Sequence, residues 1–317
     1  MANAKCSESE FIALFEQHGA SKLAKLLDMT VRALHQRRKA IEKRIGRPLI
    51  NPVSSGSNQV SRMFSGYPMR LHASIPDGVV LVGSDAHYWP EEQATTAHRA
   101  LVKFAEDLNP KAIVLNGDVL DGAGISRHGR IGWSATPKVQ DEIEAVQMRL
   151  DEIRDAAPKA KLFWTMGNHD LRFESRLAEK SPEYEGIQGA RLSDHVPHWE
   201  MCVSLWLNDV VIKHRFKGGI HATHNNTLWA GKTMVTGHLH SLKVTPFDDY
   251  NGRRYGVDTG TLSEPYGEHA NYGEDNPLNH RSGFVVLTFH KGQLLWPEIV
   301  SVIDADHVQF RGQVIKV

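Results

Sequence analysis

Apolar residues recur along this chain in two rhythms, and the change from one to the other divides it. Near the start, Phe11, Leu14 and Phe15 fall at helical spacing behind Ser7-Glu8-Ser9-Glu10. That tetrad has the form of a capping box, in which Ser and Glu each satisfy the other's backbone N–H. His18-Gly19 closes this helix, a short helix is predicted over residues 21–27, and Asp28-Met29-Thr30 breaks the chain again. Thr30 is a suitable N-cap for a longer helix over 31–45, which Gly46 and Pro48 stop. Two helices meeting at a three-residue turn predict a small all-α helix-turn-helix over residues 1–50. Residues 51–68, rich in Ser, Gly, Pro and Asn, read as a linker.

Beyond residue 68 the rhythm becomes short apolar runs separated by helical stretches. Strands are predicted at 69–75, 79–83, 112–116, 160–166, 203–207, 210–213, 234–236, 255–258 and 284–289. Helices are predicted at 91–107, 138–156, 170–179 and 221–230. Pro76-Asp77-Gly78, between the first two runs, reads as a hairpin turn. Alternation of this kind predicts α/β architecture for residues 69–317, with ligands bound at the C-terminal ends of strands.

Composition adds little until it is divided. Hydrophobic residues make up 41% and charged residues 23%, which excludes a disordered chain. The net charge of zero hides an asymmetry: residues 1–50 hold 10 Lys/Arg against 5 Asp/Glu, and the remainder holds 27 against 32. A basic head on an acidic body points to an anionic partner for the head. Within the second helix, Arg32, Arg37, Arg38 and Lys39 are the candidate nucleic-acid contacts. Cys6 and Cys202 are too few and too far apart for a disulfide framework, so a reducing, cytoplasmic location is expected. There is no signal-peptide pattern and no apolar run of about 18 residues, so no membrane association is expected.

Five blocks carry the candidate chemistry, each directly after a predicted strand. They are Asp85-Ala86-His87, Gly117-Asp118-Val119-Leu120-Asp121, Gly167-Asn168-His169-Asp170, His214, and Gly237-His238-Leu239-His240. Imidazoles and carboxylates in this mixture suit two neighbouring divalent cations, with one carboxylate between them. The absence of cysteine from the set disfavours a structural zinc cluster. Between residues 213 and 224 three histidines compete; His214 directly follows an apolar strand and is preferred over His221 and His224.

Taken together, the blocks resemble the signature of the calcineurin-like metallophosphoesterases, over roughly residues 79–289. The resemblance implies a four-layer sandwich, two β-sheets flanked by helices. It implies that Asp85, His87 and His240 hold one metal, that Asn168, His214 and His238 hold the other, and that Asp118 bridges them. His169 would protonate the departing oxygen, oriented by Asp121. The cofactors would be two divalent ions, Mn²⁺ foremost, with Fe, Zn, Ni or Mg as alternatives. Such a pair supplies a hydroxide at neutral pH that attacks phosphorus in line.

Two departures narrow the reading. Protein phosphatases of this superfamily carry Arg after the last Asp of the second block and Glu at the end of the third. Here those positions are Gly122 and Asp170, which favours the phosphodiesterase and nuclease branches. Joined to a basic helix-turn-helix, this predicts a phosphoesterase directed to nucleic acid, with DNA as the expected substrate, in an arrangement that resembles phosphoesterases of phages and prophages. The alternatives are a small-molecule phosphodiesterase or phosphomonoesterase whose head serves assembly as a homo-oligomer, and a DNA-binding regulator with a vestigial domain. Ser126 to Arg130 offers cations for a phosphate, Tyr88, Trp89 and Trp133 offer aromatic faces for bases, and residues 263–280 a substrate-facing loop.

Overall fold

The computed structural model describes residues 6–46, 49, 66–127, 136–265 and 279–317. Two compact units emerge, residues 1–65 and 66–317. Most of the segment read as a linker lies outside the described residues.

The first unit is built on α1 (Glu8–Leu26) and α2 (Val31–Ile45). The capping box forms as read, with Ser7 Oγ accepting from the Glu10 N–H and Glu10 accepting from the Ser7 N–H. Gly19, at φ 73° and ψ 171°, kinks α1 where the sequence predicted its end. Thr30 caps α2, and Gly46 closes it in the left-handed conformation. Phe11, Phe15, Leu23, Leu34 and Ile41 make the core of the unit. Two of the four candidate nucleic-acid contacts are engaged there. Arg37 lies over the Phe11 ring and donates to the Cys6 carbonyl, while Arg38 lies over Phe15 and pairs with Glu42. Arg32 and Lys39 are exposed.

The second unit stacks two sheets. The larger runs β15-β14-β13-β11-β2-β3-β4-β5, with β12 paired to β11. Its parallel centre is β2 (Gly78–Gly83), β3 (Ala112–Leu115), β4 (Lys161–Thr165) and β5 (Glu200–Cys202). An antiparallel flank follows: β11 (Gly283–His290), β12 (Gln293–Leu294), β13 (Glu298–Val302), β14 (His307–Phe310) and β15 (Gln313–Lys316). The smaller sheet runs β1-β6-β7-β8-β10-β9. Its strands are β1 (Leu71–Ala73), β6 (Leu205–Leu207), β7 (Val210–Ile212), β8 (Thr233–Thr236), β9 (Lys243–Asp249) and β10 (Gly252–Asp258).

The core lies between the sheets because strand side chains alternate in direction. Val80 and Val82 of β2 and Val114 of β3 meet Leu205, Leu207, Ile212, Val235 and Val257 of the smaller sheet. On the outer face of the larger sheet lies α3 (Thr96–Leu108), whose Phe104 ring meets Phe284 and Phe310 edge-on. Against α3 packs α4 (Val139–Ala156). The outer face of the smaller sheet is covered by α6 (Ala222–Ala230). This is the helix–sheet–sheet–helix sandwich that the resemblance implied.

Two expectations are corrected. Pro76-Asp77-Gly78 is not a hairpin: β1 pairs in parallel with β6, and β2 joins the other sheet beside β3 and β11. The run 203–207 forms a strand only over Leu205–Leu207, and the unpredicted strand Glu200–Cys202 just before it belongs to the other sheet. In both cases a chain with apolar residues on either side of a short break crosses the core between layers, which local pattern does not distinguish from a hairpin. Helix α3 also begins at Thr95-Thr96, five residues later than read, because Thr95 is the side chain that caps it.

Candidate active site

All five blocks converge where strands end. Asp85 and His87 follow β2, Asp118 and Asp121 follow β3, Asn168 and His169 follow β4, His214 follows β7, and His238 and His240 follow β8. The first three strands belong to one sheet and the last two to the other, so the site sits astride the sandwich. To turn their side chains inward, Asp85, His87, Asp118, His238 and His240 all adopt positive φ, between 43° and 71°. Such backbone is costly for residues other than glycine, and its concentration here marks a functional site.

One group comprises Asp85, His87 and His240, and a second Asp118, His214 and His238. Within each, the candidate ligand atoms lie within 4.8 Å of one another. Asp85 Oδ1 is 3.0 Å from His240 Nε2 and 3.9 Å from His214 Nε2, which links the two groups. Asp118 occupies the middle: Oδ2 is 3.0 Å from His214 Nε2, and Oδ1 accepts the His169 N–H at 2.7 Å. The imidazoles are oriented from behind. His214 Nδ1 meets the Asn116 carbonyl at 2.8 Å and His87 Nδ1 meets Asp121 Oδ1 at 2.8 Å, which makes Nε2 the candidate ligand atom of each.

Asn168 belongs with these residues by its lack of a partner. Its Oδ1 is buried and makes no hydrogen bond, and neither does His240 Nδ1. A buried acceptor without a donor is costly, and a coordinated cation removes that cost. This donor set therefore fits two divalent ions.

Electrostatics agree. Burial alone would raise the Asp85 carboxyl, but His240 and His214 beside it hold it down at about 2. Burial also opposes the charge on Asp118, and His214 outweighs it, so that carboxyl lies far below the usual range. Conversely, burial would lower His214, and Asp118 and Asp85 lift it to about 10. His240 is raised against the same penalty by Asp85. The buried carboxylates hold cationic partners close, the role that a divalent ion would take over from the imidazoliums.

Asp170 holds the floor of the site. Its two oxygens accept from the backbone N–H groups of Asp118, Val119, Leu120 and Gly167 at 2.7–3.1 Å, and from Trp164 Nε1 at 3.0 Å. Gly167 permits this closeness, since a Cβ there would come within 2.1 Å of Asp118 Oδ1. His169 is set beside Asp121, with Nδ1 2.9 Å from its carbonyl and 3.1 Å from Oδ1.

Other candidates lie apart. His221 and His224 are exposed at the start of α6. Tyr88 is buried with its hydroxyl on His98 Nδ1 at 2.8 Å, so its ring is a packing element and does not face a base. Trp89 is half-buried. His128, Arg130 and Trp133, and most of the loop 263–280, fall outside the described residues. Two neighbours escaped the sequence reading. His280 stacks against His240, with centroids 4.4 Å apart, and burial with that neighbour lowers it to about 4. Arg172 reaches both Asp121 and His169. Neither follows a predicted strand, so nothing local marked it.

Solved structures align with this chain at low identity and low TM-score. Vacuolar protein sorting 29 from Cryptosporidium parvum aligns at 12% identity and a TM-score of 0.41, covering 77% of this chain and 100% of its own. A Vps29 single mutant from Entamoeba histolytica aligns at 14% and 0.37, covering 75% and 96%. Pseudomonas putida nuclease MPE aligns at 14% and 0.29, covering 69% and 86%. No curated protein matches the sequence. The family model of the calcineurin-like phosphoesterases matches residues 78–312, which contain every ligand candidate. With most of its length inside that match and its donor groups assembled at the strand ends, the chain belongs to the calcineurin-like phosphoesterase family and is a metal-dependent phosphoesterase.

Proposed function

We propose that this protein is a phosphodiesterase acting on nucleic acid, with DNA as its principal substrate. One observation carries the reading: a full set of ligand side chains shares a chain with a basic helical unit whose Arg32 and Lys39 are exposed. Charges of that kind contact phosphates irrespective of sequence, and so bring a polyanion to the enzyme.

Asp85, His87 and His240 would hold one divalent ion, and Asn168, His214 and His238 the other, with Asp118 between. Mn²⁺ is the first candidate, and Fe, Zn, Ni or Mg are alternatives. When bound, the ions supply electrophilic neutralisation of the phosphoryl oxygens and an acidified water. The protein does the rest. Asp121 fixes His169 through Nδ1, so Nε2 is the atom from which His169 would serve a departing oxygen as a proton donor. The Asp118 carboxylate fixes the His169 backbone through its N–H. Asp170 fixes Asp118 in turn.

The test is hydrolysis by metal-stripped protein with divalent ions added back, offered bis-p-nitrophenyl phosphate, p-nitrophenyl phosphate, and labelled single- and double-stranded DNA. The double variant Arg32→Glu/Lys39→Glu is run beside it. Metal-dependent DNA cleavage is expected, with the variant losing about 10-fold on DNA at moderate salt and nothing on the small diester. Turnover of small esters with DNA untouched overturns the substrate and leaves the metal site standing.

A further inference from the structure

His169 has a second neighbour besides Asp121, and that neighbour bears on how the ester is held. Arg172 stands in the first turn of α5 (Leu171–Lys180), and its N–H donates to the His169 carbonyl at 2.9 Å. The two residues therefore share one rigid turn. From there the guanidinium folds back over the site. Nη1 donates to the Asp121 carbonyl at 2.8 Å, and Nη2 lies 3.0 Å from His169 Nε2.

A guanidinium has donors and no acceptor, so the direction of the second contact is fixed. Nε2 offers its lone pair to Arg172, and Nδ1 carries the hydrogen that faces Asp121. Nε2 is also the atom that must face the departing oxygen of an ester. The Arg172 Nη2 donor thus stands where that oxygen has to arrive.

The approach is built into the backbone. A Cβ at residue 122 would lie 3.3 Å from Arg172 Cδ and 3.4 Å from its Cβ, and Gly122 has φ +64°. Any side chain at 122 would be strained and would crowd the stem of Arg172. Among the described residues no carboxylate pairs with the guanidinium. It is half-buried, and its two contacts are a carbonyl and an imidazole nitrogen, both weaker acceptors than a phosphate.

We propose that Arg172 is a substrate-binding residue on the leaving-group side: it exchanges its bond to His169 Nε2 for a bond to the phosphate ester, and neutralises the charge that builds on the departing oxygen. The proposal rests on the phosphoesterase reading but not on DNA being the substrate. Arg suits the task because its fork can keep one N–H on the Asp121 carbonyl while another follows the phosphate. Lys, with a single charged point, would retain charge but lose that shared geometry.

The experiment uses full-length, Mn²⁺-loaded protein and its Arg172→Lys and Arg172→Met variants. Thymidine 5′-phosphodiesters with p-nitrophenyl, phenyl and methyl leaving groups form a series of rising leaving-oxygen basicity. Inorganic phosphate is titrated separately as a probe that needs no turnover. Expected for Arg172→Met is phosphate binding weakened about 10- to 100-fold, the worth of one charged hydrogen bond. Its loss in kcat/KM should grow along the series, from about 10-fold for p-nitrophenyl to about 1,000-fold for methyl. Arg172→Lys should recover part of both. Melting temperature and metal content measured on each variant separate these effects from misfolding. Equal losses across the series with phosphate binding unchanged would mean that Arg172 merely props His169, and would overturn the proposal. Failure on DNA alone would count against the proposed substrate and leave this result readable on the small esters.

Discussion

The Asp170 carboxylate accepts the backbone N–H of Asp118 at 2.9 Å, and so the last residue of the third block positions the central carboxylate of the second. Five N–H donors converge on Asp170, which is fully buried. An amide cannot accept them all, because its NH₂ would face donors. Asp170→Asn is expected to destabilise the fold by about 3 kcal/mol or more, and to lower bound metal with it. Denaturant melts with metal analysis on the same samples check this, and an unchanged melt with full metal content would contradict it.

Asn168 is the converse case. Its Oδ1 makes no hydrogen bond within the protein, so its loss should cost little stability. Asn168→Ala is expected to keep its chelator-treated melting point within about 1 kcal/mol of the parent, since no partner is stranded. Bound divalent metal should fall from two ions toward one, with kcat reduced about 100-fold or more. Elemental analysis after dialysis reads the first effect directly.

Metal removal should be felt by the whole second unit. At saturating metal, ligation to the folded state alone adds about 3–4 kcal/mol at 100 to 1,000 times Kd. A chelator should therefore lower the melting temperature, and Mn²⁺ should restore it. The pH dependence has a definite sign. His214 is raised to about 10 by Asp118 and Asp85, and so carries a proton at neutral pH without metal, and Asp85 raises His240 in the same direction. A cation must displace the His214 proton, so apparent metal affinity should strengthen as pH rises. Calorimetric titration in buffers of different ionisation enthalpy measures the protons released.

Glu142 offers a prediction remote from the ligands. Burial, partly offset by its bond to the Ala123 N–H and reinforced by the nearby Asp121 charge, raises its carboxyl from 4.5 to about 7. A raised carboxylate favours the protonated form in the folded state. Stability from this group is intact at low pH, falls as pH climbs from about 4.5 to 7, and stays lost above. Glu142→Gln keeps the acceptor for Ala123 without the charge. It is expected to be more stable than the parent by up to about 3 kcal/mol at pH 8, with the gain shrinking toward pH 5. Urea melts of chelator-treated protein at the two pH values compare them.

Much of the site was legible because ligand identity is a local property. An Asp, Asn or His directly after an apolar strand needs no knowledge of distant chain to be noticed, and Asp85, Asp118, Asn168, His214 and His240 were all visible in that way. Capping by Ser7 and Thr30 was equally local. The outlying strands were not legible. β9, with burial that follows no clean alternation, and the short β12 to β15 carry polar faces that read as loop. Short strands with solvent-facing polar residues lack the continuous apolar run that betrays the central ones.

By itself, then, the sequence determined which side chains could bind cations and that each would stand at a strand end, because residue type and hydrophobic run suffice for both. The tertiary structure decided which strands share a sheet, since pairing joins β1 to β6 and parts it from its neighbour β2. It also decided that the backbone N–H of Asp118 meets Asp170, and that His169 and Arg172 both meet Asp121. These depend on segments about 50 residues apart meeting at fixed distances, and no local spacing encodes a distance between elements that only packing brings together.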